Sequence, residues 1–243
     1  MGLKFSKPNS KIDWPSFSLP AGWTCPGANE CLAKVHVDDR GKRYLVDGKN
    51  AKFRCFSATA EAQYQQTYDA RQHNLAALKA LRTSAKMAAQ LLADLPKSAR
   101  TIRIHVSGDF FNQAYFDAWI AVAMARPGIR FYAYTKSLNF WVKRLGAIPE
   151  NLVLTASEGG KYDRLIQKHQ LKFARVVFSE AEAQAEGLAI DHDDSLASDP
   201  YHGPFALLLH GTQAPKSEAS RALVQLRRKG VKGYSRGRKR AAA

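Results

Sequence analysis

Three cysteines, Cys25, Cys31 and Cys55, are the only ones in the chain, and all three stand near its N-terminus. The first two are spaced C-x5-C in TCPGANEC, and the third follows 23 intervening residues later in RCFSA. The first residues, MGLKFSKPNS, lack the apolar stretch of a secretory signal, so we expect a reducing, cytoplasmic setting. In that setting a group of cysteines is more often metal-binding or catalytic than disulfide-bonded.

Two kinds of metal site match this cysteine count. Three thiolates can hold three irons of a [4Fe–4S] cluster and leave the fourth iron open to a small ligand. The same thiolates together with His36 would make a Cys3His zinc site with a structural role. The third interpretation is that the thiols are buried and bind no metal. The cluster is the favoured hypothesis, although the C-x3-C-x2-C spacing usual in radical S-adenosylmethionine enzymes is absent.

Small and polar residues follow each predicted strand in the second part of the chain, most clearly Ser107, Gly108 and Asp109 in HVSGDFFN. Ligands of parallel α/β folds bind at the carboxyl ends of the strands. We therefore predict that these three residues contact a cofactor or substrate, and that Asp109, Lys136 and Glu158 are catalytic, Asp109 as a base or nucleophile. The alternative is that the polar residues cap the following helices.

The chain carries 37 Lys and Arg against 21 Asp and Glu, a net charge of +16. Such an excess is typical of proteins that bind polyanions, above all nucleic acid, DNA or RNA. Residues 227–243 are predicted to form a flexible basic tail that contacts phosphates. The alternative is a solvated end with no binding role. The acidic run DHDDS, in contrast, is predicted to be a solvated loop. The predicted nucleic-acid contacts are Arg227, Arg228, Lys229, Arg236, Arg238, Lys239 and Arg240.

Residues 1–226 are predicted to form a single α/β domain. Five short apolar runs, beginning with TIRIHV and ending with FALLLH, alternate with helical stretches, which indicates βα units and a parallel sheet. We expect a TIM-like barrel or partial barrel, with a doubly wound open sheet as the alternative. The cysteine segment 25–56 contains a predicted hairpin, AKVHV and KRYLV around DDRG, and a single helix is predicted from about Ser57 to Leu95. No stretch is apolar for long enough to span a membrane.

Five motifs in this order, FSLPAGWTCPGANEC, RCFSA, IRIHVSGDFFN, YFDAW and RFYAYTKSL, resemble the phage "gene product 88" domain over roughly residues 16–160. In that family the third cysteine follows closely after the second, so the hairpin 32–54 looks like an insertion. The layout is similar to radical-SAM-like phage proteins, and this likeness implies that Ser107, Gly108 and Asp109 contact S-adenosylmethionine beside the cluster. The resemblance thus implies a cytoplasmic phage or mobile-element enzyme with a [4Fe–4S] cluster that acts on nucleic acid or a nucleotide.

Two other functions remain open at this point. A second likeness, to queuine tRNA-ribosyltransferases and related phage enzymes, implies exchange of guanine for a 7-deazaguanine with Asp109 as the nucleophile on a flipped base. The non-enzymatic alternative is a nucleic-acid-binding protein that is stabilised by a structural metal. The sequence leaves the oligomeric state open.

Overall fold

The computed structural model describes residues 2–8 and 12–231. Six strands form one sheet in which every ladder is parallel. The strands of this sheet are β1 (Ser16–Phe17), β4 (Thr101–Ile104), β5 (Arg130–Thr135), β6 (Leu152–Ser157), β7 (Phe173–Val177) and β8 (Phe205–Leu208). A separate antiparallel pair consists of β2 (Ala33–Val37) and β3 (Arg43–Asp47).

The order of the large sheet is β1-β4-β5-β6-β7-β8, so its strands are neighbours in the order in which they occur along the chain. The prediction of a parallel sheet built of βα units is confirmed. A barrel is not, because within residues 2–8 and 12–231 β1 and β8 are the two edges and the sheet does not close. Six strands are two fewer than a TIM barrel needs, and β1 is only two residues long. The order also shows no reversal of direction, which a doubly wound sheet would require.

Nine α-helices and one 3₁₀ helix connect the strands within residues 2–8 and 12–231. They are α1 (Phe56–Gln63), α2 (Gln65–Leu81), α3 (Ser84–Asp94), α4 (Gln113–Ala125), α5 (Leu138–Trp141), the 3₁₀ helix Val142–Ala147, α6 (Arg164–Lys168), α7 (Glu180–Ala185), α8 (Ser195–Ser198) and α9 (Glu218–Arg228).

The single helix predicted from Ser57 to Leu95 is three helices, α1 to α3. Tyr64 has extended backbone angles between α1 and α2, and Arg82 has a φ of 60° after α2. Thr83 then starts α3, where its side chain accepts a hydrogen bond from the N–H of Lys86. The residues on both sides of each break are good helix formers, so the helical pattern in the sequence continues across Tyr64 and Arg82. A non-helical backbone at single positions is too short to change that pattern.

Alternation along the strands divides the sheet into two faces. One face carries Ile102, Ile104, Phe131 and Ala133 and packs in the main hydrophobic core, which includes Trp119 and other residues of the helices. The opposite face carries the side chains between them, beginning with Arg103, Tyr132 and Tyr134. Short helix α8 packs against β5 and β6, and its Ala197 covers Tyr132 and Phe205 near the amino ends of the strands. The rest of that face borders a cavity at the carboxyl ends.

The predicted hairpin is confirmed as β2 and β3, joined by residues 38–42. Ala33 and Val35 are buried on the face that packs against Ala21 and Ala58. This buried face fixes the hairpin to the first helix of the body. Among the described residues no helix is both long and apolar enough to cross a membrane.

Candidate functional site

Cys25, Cys31 and Cys55 all line one cavity of about 170 Å³ at the carboxyl end of the parallel sheet. Cys25 and Cys31 lie in the irregular segment after β1, and Cys55 is the N-cap residue of α1. The isolated bridge between Ala28 and Gly160 joins the cysteine segment to the loop after β6. The fold therefore brings together thiols that are 30 residues apart in the chain.

The thiols also lie in one electrostatic neighbourhood. Burial raises the pKa of the Cys25 thiol well above its usual value, and the charges of Asp109, Cys55 and Cys31 raise it further. Burial, followed by the charge of Cys31, raises the pKa of Cys55 to about 11. Negative charge on any one of these groups thus opposes ionisation of its neighbours, and a cation among them would remove that repulsion.

Asp109 lies at the same cavity and is 4% exposed. One carboxylate oxygen accepts hydrogen bonds from the Thr135 hydroxyl at 2.6 Å and the Phe110 N–H at 2.7 Å, and the other accepts the Lys136 N–H at 2.8 Å. Burial raises the pKa of Asp109 to about 6, against the lowering effect of the hydrogen bonds from Thr135 and Lys136. The carboxylate thus ties the loop after β4 to the end of β5. It does not cap α4, whose N-cap is Asn112.

Ser107 and Gly108 line the cavity beside Asp109. Gly108 has a φ of +81°, and a Cβ atom there would lie 2.5 Å from Thr24 Oγ1 and 2.7 Å from the Leu19 Cβ. Only glycine fits this position without displacing its neighbours. The Ser107 hydroxyl donates to Glu61 Oε1 at 3.0 Å. The loop after β4 is therefore held closely against the segment that leads into Cys25.

Lys136 lines the cavity from the end of β5 and is buried. Its ammonium donates to the Ser157 carbonyl at 2.9 Å, to the Ser157 hydroxyl at 2.8 Å and to the Glu158 carbonyl. Carbonyl and hydroxyl oxygens satisfy its three donors but do not neutralise its charge. Lys136 therefore joins the end of β5 to the loop after β6, and its backbone carbonyl lies against Gly27 in the cysteine segment.

Glu158 does not join these residues. It lines a second cavity of about 560 Å³ instead. Its carboxylate pairs with Arg175 through two hydrogen bonds, one of them 2.8 Å from Nη2 to Oε1. Glu158 directly follows β6. Because side chains alternate in direction along a strand, that of Glu158 points away from the first cavity, which its neighbour Ser157 lines.

His36, the predicted fourth zinc ligand, lies on the hairpin against the rings of Trp23 and Tyr44. It is not among the residues that line the cavity of the cysteines. Across residues 2–8 and 12–231, no three or more His, Cys, Asp or Glu side chains are grouped so that they could hold a metal ion.

The sequence matches the gene product 88 family over residues 3–227. The chain belongs to that family. The match extends beyond residues 16–160, where the resemblance was seen, in both directions. The Gene 88 protein of Mycobacterium phage L5 is 27% identical over 131 residues, which cover 50% of this chain and 47% of that protein. The chain thus aligns with about half the length of this phage relative. No solved structure matches.

Arg103 is a residue of this gene product 88 chain that sequence analysis did not single out. It lines the cavity from the middle of β4, and its guanidinium pairs with the buried Asp194 at 2.5 Å. Asp194 also accepts the Tyr132 hydroxyl at 2.8 Å. The prediction that DHDDS is a solvated loop is therefore wrong for Asp191 and Asp194, which are buried. An arginine inside the apolar run TIRI was the available signal, since a buried guanidinium requires a partner.

Glu61 is the second residue that was missed. It is fully buried in α1, where Oε1 accepts the Ala21 N–H at 2.8 Å and Arg71 Nη1 at 2.7 Å in addition to the Ser107 hydroxyl. Among the described residues Oε2 has no hydrogen-bond partner. The sequence offered no signal, because a glutamate in a helix is usually solvated.

The predicted nucleic-acid contacts divide between two regions. Arg227 and Arg228 form the last turn of α9 and Lys229 is its C-cap, so the described part of the basic segment begins as helix. The other four predicted contacts, Arg236, Arg238, Lys239 and Arg240, lie outside the described residues.

Proposed function

We propose that the protein is a phage iron–sulfur enzyme of the host cytoplasm, with a [4Fe–4S] cluster held by Cys25, Cys31 and Cys55, that acts on nucleic acid or a nucleotide. The observation that carries the proposal is the convergence of the chain's only three thiols on one cavity at the carboxyl end of a parallel sheet. Substrate and cofactor sites of parallel α/β folds lie at this edge.

The number of thiols supports a [4Fe–4S] cluster. Three cysteines line the cavity, and three thiolates can hold three irons of such a cluster and leave the fourth iron for a small ligand. In radical S-adenosylmethionine enzymes that iron binds the cofactor. His36 packs against the Trp23 ring and is not among the residues that line the cavity, which gives a Cys3His zinc site with this histidine less support.

The residues around the thiols have distinct proposed roles. Gly108 lets the loop after β4 pack closely on Thr24 and Leu19, and this loop presents Ser107, whose hydroxyl is held by Glu61, to the cavity where S-adenosylmethionine would bind. Lys136 holds the loop after β6 through its hydrogen bonds to Ser157 and Glu158. Asp109 holds the loop after β4 in place through its three hydrogen bonds. Glu158 lies in the other cavity, so the proposal gives it no part in catalysis.

A base-exchange enzyme with Asp109 as nucleophile receives less support. Oδ1 of that carboxylate accepts two hydrogen bonds, from Thr135 and Phe110, and Oδ2 accepts one, from Lys136. Of its about four lone-pair sites, one on Oδ2 is left to attack a substrate. The net charge of +16 favours a polyanionic substrate in either case.

The test is anaerobic purification, reconstitution with iron and sulfide, and metal analysis. We expect a brown protein with about four irons and four sulfides per chain and no zinc. Cys25→Ala, Cys31→Ala and Cys55→Ala should each lose most of this iron. Val176→Ala alters an apolar residue of the same cavity and should keep it. Binding of S-adenosylmethionine, measured by equilibrium dialysis, should require the cluster.

Two results would overturn the proposal. One zinc and no iron per reconstituted chain would show that the cysteines form a structural zinc site. Iron that remains in all three cysteine variants would show that the thiols are not the ligands.

A further inference from the structure

The outer face of the β2–β3 hairpin carries rings that are exposed or half-buried. In the ladder Lys34 lies opposite Val46 and His36 opposite Tyr44, and these four residues share the face opposite to buried Ala33 and Val35. Trp23, from the segment before Cys25, lies over the same face. We call the surface formed by Trp23, Lys34, His36, Tyr44 and Val46 the hairpin platform.

The rings of the platform form a continuous ladder. The centroids of Trp23 and His36 are 5.1 Å apart, and those of His36 and Tyr44 are 5.8 Å apart with planes 28° from parallel. Trp23 is 48% exposed and Tyr44 is 46% exposed. Rings of this size are normally buried, so a contiguous exposed set marks an interaction surface.

The platform is fixed in place. The indole N–H of Trp23 donates to the Val35 carbonyl at 2.9 Å, which anchors the ring to the edge of β2. On the other edge Arg43 Nε donates to the Glu61 carbonyl at 3.0 Å, which ties β3 to α1. A surface held at both edges needs little ordering when a partner binds.

The charge of the platform selects the kind of partner. The Lys34 ammonium lies 4.4 Å from the centroid of the Trp23 ring, and the five platform residues include no carboxylate. Residues 32–54 contain seven Lys and Arg against three Asp, in a chain of net charge +16. A partner that matches both features has flat, unpaired rings and a dense negative backbone.

We propose that the hairpin platform binds single-stranded nucleic acid, with bases stacked on Trp23 and Tyr44 and a phosphate beside Lys34. Bases stack on exposed aromatic side chains in proteins that bind single strands, and basic residues track the backbone. Duplexes keep their bases stacked on one another and present no free faces. The proposal deepens the nucleic-acid part of the proposed function and is independent of the cluster, because no platform residue is a proposed ligand.

The experiment measures binding of fluorescein-labelled dT20 and rU20 by anisotropy, with the full-length reconstituted protein. Loss of one base–aromatic stack should weaken binding by about 5- to 150-fold, so Trp23→Ala and Tyr44→Ala should each fall in this range. Lys34→Gln should reduce the slope of log affinity against log salt by about one. The two oligonucleotides distinguish DNA from RNA as the preferred strand.

Two further variants serve as controls. Tyr201→Ala removes a tyrosine that is 95% exposed in the loop before β8, outside the hairpin platform, and should bind as wild type does. Trp23→Phe keeps a ring for stacking and should retain most of the affinity. Binding should quench tryptophan fluorescence much more in the wild type than in Trp23→Phe, because Trp119 and Trp141 are buried and the half-buried Trp14 is held on Tyr132 of β5.

The outcomes separate this proposal from the cluster. If wild type binds the oligonucleotides and Trp23→Ala and Tyr44→Ala bind equally well, the platform is overturned and the nucleic-acid function stands. If wild type binds neither strand, the platform proposal is overturned, whatever the metal analysis gives. A wild-type dimer that Trp23→Ala converts to a monomer, without oligonucleotide binding, would instead assign the platform to contact between two copies of the chain.

Discussion

The carboxylate of Asp109 accepts a hydrogen bond from the backbone N–H of Lys136 at 2.8 Å, which fixes the loop after β4 to the end of β5. The two residues are 27 positions apart, and both line the cavity of the cysteines. A hydrogen bond from a backbone N–H to a buried carboxylate stabilises the fold, whether or not the carboxylate also takes part in catalysis. Its removal should therefore affect stability directly.

Asp109→Asn should lower the free energy of unfolding by about 1–3 kcal/mol. An asparagine oxygen can replace the carboxylate oxygen that faces Thr135, but its NH2 group would then face the N–H of Lys136. Urea unfolding at neutral pH measures the change. Asp38→Asn is the control, because Asp38 accepts hydrogen bonds in the exposed hairpin turn. Equal stability of the two variants would contradict the structural role of Asp109.

Gly108→Ala should lower the free energy of unfolding by more than the strain of an alanine at positive φ accounts for. Gly187→Ala is the matched control, because Gly187 has a φ of +65° with open space around it. The control should cost roughly 1–2 kcal/mol. At Gly108 the added methyl would also meet Thr24 and Leu19 at 2.5–2.7 Å. Urea unfolding of both variants gives the comparison, and a smaller loss for Gly108→Ala would show that the loop has room.

Arg71→Met should cost about 3–5 kcal/mol, because it leaves the fully buried carboxylate of Glu61 without its cation. The double variant Arg71→Met with Glu61→Gln should recover part of this loss, since no buried charge then remains. Arg144→Met breaks a half-exposed pair with Asp117 and should cost about 0–1 kcal/mol. Additive losses in the double variant, measured by thermal or urea unfolding, would refute coupling between the two side chains.

His105 should make stability depend on pH. Burial and then the charge of Arg103 lower its pKa to about 3, while Nε2 shares a hydrogen bond of 2.9 Å with the Tyr115 hydroxyl. The unfolded chain takes up a proton on this residue near pH 6.5, and the folded chain does not until about pH 3. Stability is thus fully present above pH 6.5 and falls as the pH is lowered, by about 1.4 kcal/mol per unit.

The measurement is the difference in unfolding free energy between wild type and His105→Asn at pH 7.5, 6.5 and 5.5. Asparagine tolerates the φ of 68° at this position. The difference is needed because Asp109, whose pKa is raised to about 6, acts with the opposite sign and gains stability as the pH falls through that value. Wild type should lose about 1.4 kcal/mol of its advantage by pH 5.5. An advantage independent of pH would mean that His105 is not held neutral.

The sequence by itself determined the parallel α/β class, the positions of five strands and the hairpin. These follow from local alternation and turn residues, which act over a few positions. It also indicated that the loop after β4 would border a site, because chain direction places strand ends at one edge of a sheet. The cysteine group was predicted from residue type alone, since cysteine is rare and chemically distinctive.

The tertiary structure decided what depends on distant contacts. Whether the sheet closes depends on the number of strands and on the pairing of the edge strands β1 and β8, and no local pattern encodes this. Glu158 lies in the second cavity because one step along a strand reverses the direction of a side chain. Asp194 is buried because Arg103, 91 residues away, provides its partner. The burial of a charge is therefore settled only when the fold brings the opposite charge beside it.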